Sequence, residues 1–186
     1  SITAECSGRA ALFIACREDY PEIARLLLEA GAAIDQATNN GATPLYIACE
    51  KGHLDAVIAL LDAGAAVTSK AAPSVTPSAV PTALARYADG PAACLHLACS
   101  SGSLEVAEAL LAARPDEMRL EFVSQGVTAL ALATSLGHDG IARKLVEAGA
   151  TCDVHSAAAL GMVDVLRAAP TESLDAVDAI DRTPLL

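Results

Sequence analysis

The fold of this chain is decided by residues 43–54, which read Thr-Pro-Leu-Tyr-Ile-Ala-Cys-Glu-Lys-Gly-His-Leu. The hydroxyl of Thr43 is suited to cap a helix, and Pro44 suits the first helical position because the N–H that it lacks would have no partner there. Apolar residues then recur at helical spacing until Gly52, which favours a positive φ and ends the helix. A second helix is expected from His53. The stretch therefore predicts a helix-turn-helix unit.

The same unit recurs along the chain. Residues 12–16 match residues 45–49 at an offset of 33, and residues 26–34 match residues 59–67 at the same offset. Further copies of the first-helix segment lie at residues 95–99, 130–134 and 154–158. A recurring offset indicates a solenoid, in which each unit contacts only its neighbours. We therefore expect five stacked helix pairs joined by short hairpin arms, with almost no other sheet.

Residues 43–54, together with residues 60–65, closely resemble the ankyrin-repeat signature, and the resemblance covers nearly the whole chain. It implies an all-α fold, an α-solenoid of stacked ankyrin helix-turn-helix repeats with short β-hairpin arms. On this interpretation, residues 1–186 form one ankyrin-repeat domain. Its repeats are expected at residues 8–40, 41–70, 90–125, 126–153 and 154–181, and residues 182–186 start a sixth.

Three regions depart from the regular pattern. Residues 71–89 form an insertion between the second and third repeats, and three prolines in its first half exclude a regular helix or ladder there. In the first repeat Asp19 stands where the inter-helix Gly is expected. Only residues 150–153 separate the fourth repeat from the next helix, so we expect no hairpin arm at that point. At the end of the chain, residues 183–185 carry the cap, the proline and the first core residue of a new helix, and we expect the native chain to continue.

Composition and charge argue against several classes of function. The 23 acidic and 12 basic residues leave a net charge of −11, which argues against binding to nucleic acid or to an anionic membrane surface. Hydrophobic residues make up 53% of the chain but aromatic residues only 3%, and this balance favours tightly packed helices. No apolar run reaches the roughly 18 residues that a bilayer span requires.

No catalytic or metal-binding constellation emerges from the motifs. The chain has no nucleophile with a base and an orienting group, no P-loop and no dinucleotide fingerprint. His53 and His138 both follow the inter-helix Gly, and two copies of one position in stacked repeats do not converge on a single ion. The resemblance implies that these histidines are hydrogen-bonding scaffold. We expect neither enzymatic activity nor a cofactor.

The cysteines predict packing roles and a reducing environment. Cys16, Cys49 and Cys99 occupy the same small slot in first helices, which stack about 8–10 Å apart, too far for a disulfide. Free buried thiols indicate a reducing, intracellular compartment, cytoplasmic or nuclear. Cys6 and Cys152 lie outside helix interiors and are the better candidates for reactive thiols.

The resemblance places partner-binding residues at the arm tips and on the exposed flank of each first helix, which form a concave face. The matching residues are Arg9, Arg17, Glu18, Asn39, Asn40, Glu50, Lys51, Ser100, Ser101, Gln125, Ser135 and Leu136. The basic and acidic residues of this set nearly cancel, so the net charge of the chain does not predict a basic partner.

Two functions follow as hypotheses. The first is a non-catalytic scaffold or adaptor module that binds another protein, whose identity the sequence does not specify, without contacting nucleic acid or membrane. The second is the targeting or regulatory part of a larger enzyme or channel, in which case further repeats or domains of the native chain are its partners. The length of the native reading frame distinguishes the two.

Overall fold

A computed structural model describes residues 11–38, 41–67, 93–113 and 128–164 of the chain. Within these four stretches the protein forms nine helices and no strand, which confirms the predicted all-α architecture. The helices are α1 (Ala11–Arg17), α2 (Pro21–Glu29), α3 (Pro44–Lys51), α4 (Leu54–Asp62), α5 (Ala93–Ser101), α6 (Leu104–Ala113), α7 (Ala129–Ser135), α8 (Asp139–Glu147) and α9 (Val154–Ala159).

Short polar side chains cap three of the first helices, α3, α7 and α9, and the cap of α3 is the one that residues 43–54 predicted. The Thr43 hydroxyl accepts a hydrogen bond from the backbone N–H of Tyr46 at 3.2 Å, and Thr128 caps α7 in the same way. Asp153 caps α9, where its carboxylate accepts a bond of 2.6 Å from the N–H of Ser156. These caps satisfy N–H groups that have no partner inside the helix.

The turn between the two helices of a repeat requires left-handed backbone. Gly52 has a φ of 74° and Gly102 a φ of 73°, whereas Asp19 adopts the same conformation at 58° without being glycine. Asp is among the few residues that tolerate this region, so the departure seen in the sequence leaves the turn intact. Gly102 has a second constraint, because a Cβ there would stand 2.7 Å from Cε1 of His138 in the next repeat.

The helices stack in two rows. The first helices pack in the order α1, α3, α5, α7 and α9, and the second helices in the order α2, α4, α6 and α8. Each first helix from α1 to α7 also packs against the second helix of its own repeat. The core between the rows is aliphatic, and its largest fully buried members include Leu12, Leu45, Leu95 and Leu130 from equivalent positions of four repeats.

The stack continues across the insertion. Although more than forty residues separate α3 from α5, the two helices pack directly against each other. Ser101 lies across this junction, with its hydroxyl 3.4 Å from the carbonyl oxygen of Cys49. The predicted lack of regular structure in the first half of the insertion at residues 71–89 concerns a segment outside the described residues, as does the expected sixth repeat at residues 182–186.

Two connections between repeats are described in part. Near the arm between α2 and α3, the N–H of Thr38 donates to the carbonyl oxygen of Ala42 at 2.9 Å, and the N–H of Gly41 donates to that of Thr38 at 2.8 Å. Between α8 and α9 the chain passes through residues 150–153 directly into the next helix, as expected. In the stretches that the structure describes, no helix is long and apolar enough to cross a membrane.

Candidate partner-binding face

The first helices of the middle repeats expose only their last residues. In α3 every residue from Pro44 to Cys49 is buried, and the same holds for Ala93 to Cys99 in α5 and for Ala129 to Thr134 in α7. The remaining residues of these helices, and the residue after α7, are at least partly exposed. They are Glu50, Lys51, Ser100, Ser101, Ser135 and Leu136.

These exposed ends form one continuous surface. Because α1 packs on α3, α3 on α5 and α5 on α7, the C-terminal ends of four successive first helices lie side by side. We name this surface the first-helix flank. It consists of Arg17, Glu18, Glu50, Lys51, Ser100, Ser101, Ser135 and Leu136. The structure therefore brings together eight of the residues that the sequence predicted for partner binding.

The charges on the first-helix flank are already paired. Nη2 of Arg17 lies 2.6 Å from Oε1 of Glu18, and Nζ of Lys51 lies 3.7 Å from Oε1 of Glu50. Each pair is formed by adjacent residues of opposite sign and leaves no local net charge. Exposed ion pairs of this kind contribute little to stability, at most about 1 kcal/mol. Their effect on a partner is therefore short-ranged.

The hydroxyl groups of the flank are also used within the protein. Oγ of Ser101 lies 3.2 Å from the carbonyl oxygen of Ala98 in its own helix and 3.3 Å from Oγ of Ser103. Ser135 donates to the carbonyl oxygen of Leu132 at 2.8 Å. These bonds satisfy carbonyl groups near the ends of the helices, where intrahelical partners run out. Both hydroxyls keep lone pairs that are able to accept a bond from a partner.

Leu136 differs from the other flank residues in its chemistry. It is 49% exposed, and the equivalent positions of the first three repeats carry Glu18, Lys51 and Ser101. The flank thus changes from charged through hydroxylic to apolar along the stack. Burial of this large aliphatic side chain against a partner would be favourable, because it removes apolar surface from water.

The remaining predicted site residues lie outside the described residues. They are Arg9, Asn39, Asn40 and Gln125, all assigned to arms. Their role in partner binding stays a prediction.

A histidine forms a hydrogen bond across one junction between repeats, as the resemblance implied. Nδ1 of His53 lies 2.9 Å from the carbonyl oxygen of Cys16 in the preceding repeat, and 4.0 Å from a carboxylate oxygen of Asp19. His138 packs its ring over Gly102. Within the ranges that the structure describes, no group of three or more His, Cys, Asp or Glu side chains is arranged to hold a metal ion.

The cysteine slots are buried as predicted, but one contact was missed. Cys16, Cys49 and Cys99 are free and fully buried, and burial raises the pKa of Cys16 and Cys99 to about 12. Cys49 has a neighbour in the Cys94 thiol, whose hydrogen bond, together with burial, raises the Cys49 pKa well above its ordinary value. Alignment of the repeats places Cys94 at the position of Pro44 and Cys99 at that of Cys49, so nothing in the sequence signals this contact, which depends on how α5 packs on α3.

The proposal of Cys152 as a reactive thiol receives no support from its surroundings. Its sulfur is half-buried, 3.9 Å from the sulfur of Met162. Burial and the neighbouring Asp153 carboxylate both raise its pKa, which reduces the thiolate fraction that reacts. Cys6, the other candidate, lies outside the described residues.

The repeat geometry agrees with a family comparison. A family model described as ankyrin repeats, in three copies, matches residues 2–71 and 86–158. The chain therefore belongs to the ankyrin-repeat family, whose repeats generally serve as modules for contacts between proteins. No curated protein matches the chain closely enough to count as a relative.

Proposed function

We propose that this protein is a non-catalytic module that binds another protein through the first-helix flank and the adjoining arms. The observation that supports the proposal is the continuous row of exposed helix ends. In α3, α5 and α7 no other residue is exposed, so a partner that contacts the first helices meets them at the flank.

Rigidity favours this surface as a binding site. The flank residues sit on helices that are buried on their other sides, and Ser101 and Ser135 are held by hydrogen bonds to the backbone. A preorganised surface loses little conformational entropy when a partner binds. The paired charges indicate recognition through shape, hydroxyl groups and Leu136 more than through net charge.

The charge and the thiols support the partner class and the compartment. A net charge of −11 opposes binding to the phosphate backbone of nucleic acid, so the proposed partner is a protein. Five free cysteines in the described part of the chain, four of them buried, suit a reducing intracellular compartment.

Affinity capture with matched baits tests the proposal. The flank variant is Lys51→Ala with Leu136→Ala, and the control variant is Asp55→Ala with Glu105→Ala on the exposed side of the second helices. Proteins captured by the wild type and by the control, and identified by mass spectrometry, should be lost from the flank variant. Capture that survives the flank changes but fails with the control would place the interface on the second helices.

A further inference from the structure

Two thiols meet at the junction between the second and third repeats. Cys49, near the end of α3, and Cys94, in the first turn of α5, are free, and each is 0% exposed. The two helices pack directly against each other, and the side chain of Cys94 is hydrogen-bonded to that of Cys49. The two sulfur atoms are therefore neighbours in a site that is closed to solvent.

This thiol pair does not recur at the adjoining junctions of the first row. Pro44 in α3 and Ala129 in α7 stand at the position that Cys94 occupies in α5, and neither side chain carries sulfur. Cys16 and Cys99 in the preceding helices therefore have no thiol at that position across their junctions. The contact between α3 and α5 differs from the other two in the chemistry of its side chains, although the helices pack in the same order.

The pair lies at the junction that spans the insertion. Along the chain, α4 and the insertion separate Cys49 from Cys94, so a covalent bond between the two sulfurs would close a long loop. Such a bond restricts the unfolded chain, and the restriction grows with the length of the loop. It would also join the first two repeats to the two that follow.

We propose that Cys49 and Cys94 form a disulfide when the protein meets hydrogen peroxide, and that this bond locks the second repeat to the third. The pair stays reduced in a reducing compartment, where disulfides that do form are usually transient and respond to oxidants. The bond is thus a reversible response to oxidation and not a permanent part of the fold. The proposal does not depend on partner binding by the first-helix flank.

Hydrogen peroxide is the only oxidant that the reaction needs. One thiolate attacks an oxygen of the peroxide, so that an S–O bond forms, the O–O bond breaks, and hydroxide leaves and takes up the thiol proton as water. The second thiolate then attacks the sulfenic sulfur, so that the S–S bond forms, the S–O bond breaks and a second water leaves. The two sulfurs together lose two electrons, which the peroxide gains.

Burial controls the rate of the first step. Only the thiolate attacks, and the contact with Cys94, together with burial, raises the pKa of Cys49 well above its ordinary value. Because both side chains are 0% exposed, peroxide reaches them when the junction between α3 and α5 opens locally. Oxidation should therefore be slow in the native protein and faster in a low concentration of urea. Once formed, the bond opposes further opening.

Peptide mapping of the full chain tests the proposal. Thiols that react in the folded protein are first blocked with iodoacetamide, the protein is treated with hydrogen peroxide, and the remaining thiols are labelled after unfolding. Mass spectrometry should find Cys49 joined to Cys94. Cys99, which is equally buried, should be recovered as a labelled thiol. Oxidation should raise the melting temperature by about 5 °C, and dithiothreitol should reverse the rise.

Two variants of α5 provide the matched control. Cys94→Ala removes one sulfur of the pair, whereas Cys99→Ala removes a buried sulfur further along the same helix. Peroxide should raise the melting temperature of Cys99→Ala as in the wild type and leave that of Cys94→Ala unchanged. Each variant is compared with its own untreated form, so a loss of stability from the substitution itself does not enter the comparison.

Three results would overturn the proposal. The first is that Cys49 and Cys94 remain unlinked after treatment with peroxide. The second is that either of them is joined to a different cysteine. The third is that the bond between them forms but leaves the melting temperature unchanged, because the junction is then not locked.

Discussion

First and second helices of this protein differ in how much of their surface the stack covers. In α5 all residues from Ala93 to Cys99 are buried, whereas α8 buries only Ile141, Ala142 and Leu145 of its nine residues. A first helix is enclosed by two neighbouring first helices and by the second helices, while a second helix keeps one side in solvent. Side-chain size therefore constrains the first row, and amphipathic pattern constrains the second.

The difference also locates the candidate site. Because α3, α5 and α7 leave only their last residues exposed, the proposed partner-binding residues of these helices are those of the first-helix flank. The second helices expose many polar residues, and acidic side chains there are compatible with simple solvation. Burial in one row thus concentrates the functional prediction on a few positions.

Overpacking the row of first helices should cause the largest loss of stability. Ala48 lies fully buried between stacked helices, so Ala48→Leu should lower the free energy of unfolding by about 1–3 kcal/mol. Ala63→Leu is the matched control, because it makes the same change at the exposed end of α4. Urea denaturation of both variants measures the difference. Equal losses would mean that size does not constrain the first row more than the second.

A substitution in the turn between the first and second helices should cause the second-largest loss of stability. Gly102→Ala requires a left-handed alanine, at a cost of about 1–2 kcal/mol, and also places its Cβ against the ring of His138. Gly64→Ala isolates the backbone cost, because it has a φ of 88° with no atom within 4 Å of the added Cβ. We expect thermal denaturation to show the larger loss for Gly102→Ala. Adding His138→Ala should reduce the difference between the stability losses of Gly102→Ala and Gly64→Ala. If that difference is unchanged, contact with the His138 ring is not its cause.

The buried thiols of the first row should make stability fall at high pH. Unfolded thiols ionise near their ordinary pKa of 9.0, but folded Cys16 and Cys99 hold their protons until about pH 12. Between these values the unfolded chain binds fewer protons, so the free energy of unfolding decreases as pH rises, by about 1.4 kcal/mol per pH unit for each thiol. Denaturation at pH 8 and pH 10 should show a loss smaller by about 1 kcal/mol in Cys16→Ala than in the wild type. If the wild type and Cys16→Ala lose the same stability between pH 8 and pH 10, ionisation of the Cys16 thiol does not contribute to the pH dependence.

Removal of an ion pair on the row of second helices should cause the smallest loss of stability. Nζ of Lys144 lies 3.4 Å from Glu108 and 3.2 Å from Glu147, and both carboxylates raise the pKa of this exposed amine. Glu108→Gln should therefore shift the melting temperature only slightly, and the shift should disappear at high salt because ions screen exposed charges. Glu105→Gln, on the same helix, serves as the control. A large shift that persists in salt would show that the second row depends on this pair.

Much of the fold was readable from residues 43–54 and their copies. Thr43 and Gly52 predicted the beginning and end of α3, and the offset of 33 predicted that the unit would stack. These features are local: a cap, a positive φ and an apolar face act within a few residues of each other. Repetition extended them to the chain, even where Asp19 replaced glycine.

The state of the candidate site residues was a matter of tertiary contacts. The sequence placed Ser101 on the flank but contained no sign that its hydroxyl would lie 3.4 Å from the Cys49 carbonyl oxygen, 52 residues earlier. It likewise did not show that Leu136 would remain 49% exposed, since an isolated leucine after a helix is compatible with either burial or exposure.

The amino-acid sequence by itself determined the repeat, the helix boundaries and the small buried slots, because these depend on residue type and spacing along one helix. Only the tertiary structure decided that Cys94 meets Cys49 and that Leu136 remains 49% exposed. The physical reason is that burial and contact depend on what stacks against a helix. Ala59 of α4, for example, is only 7% exposed because α2 packs beside that helix.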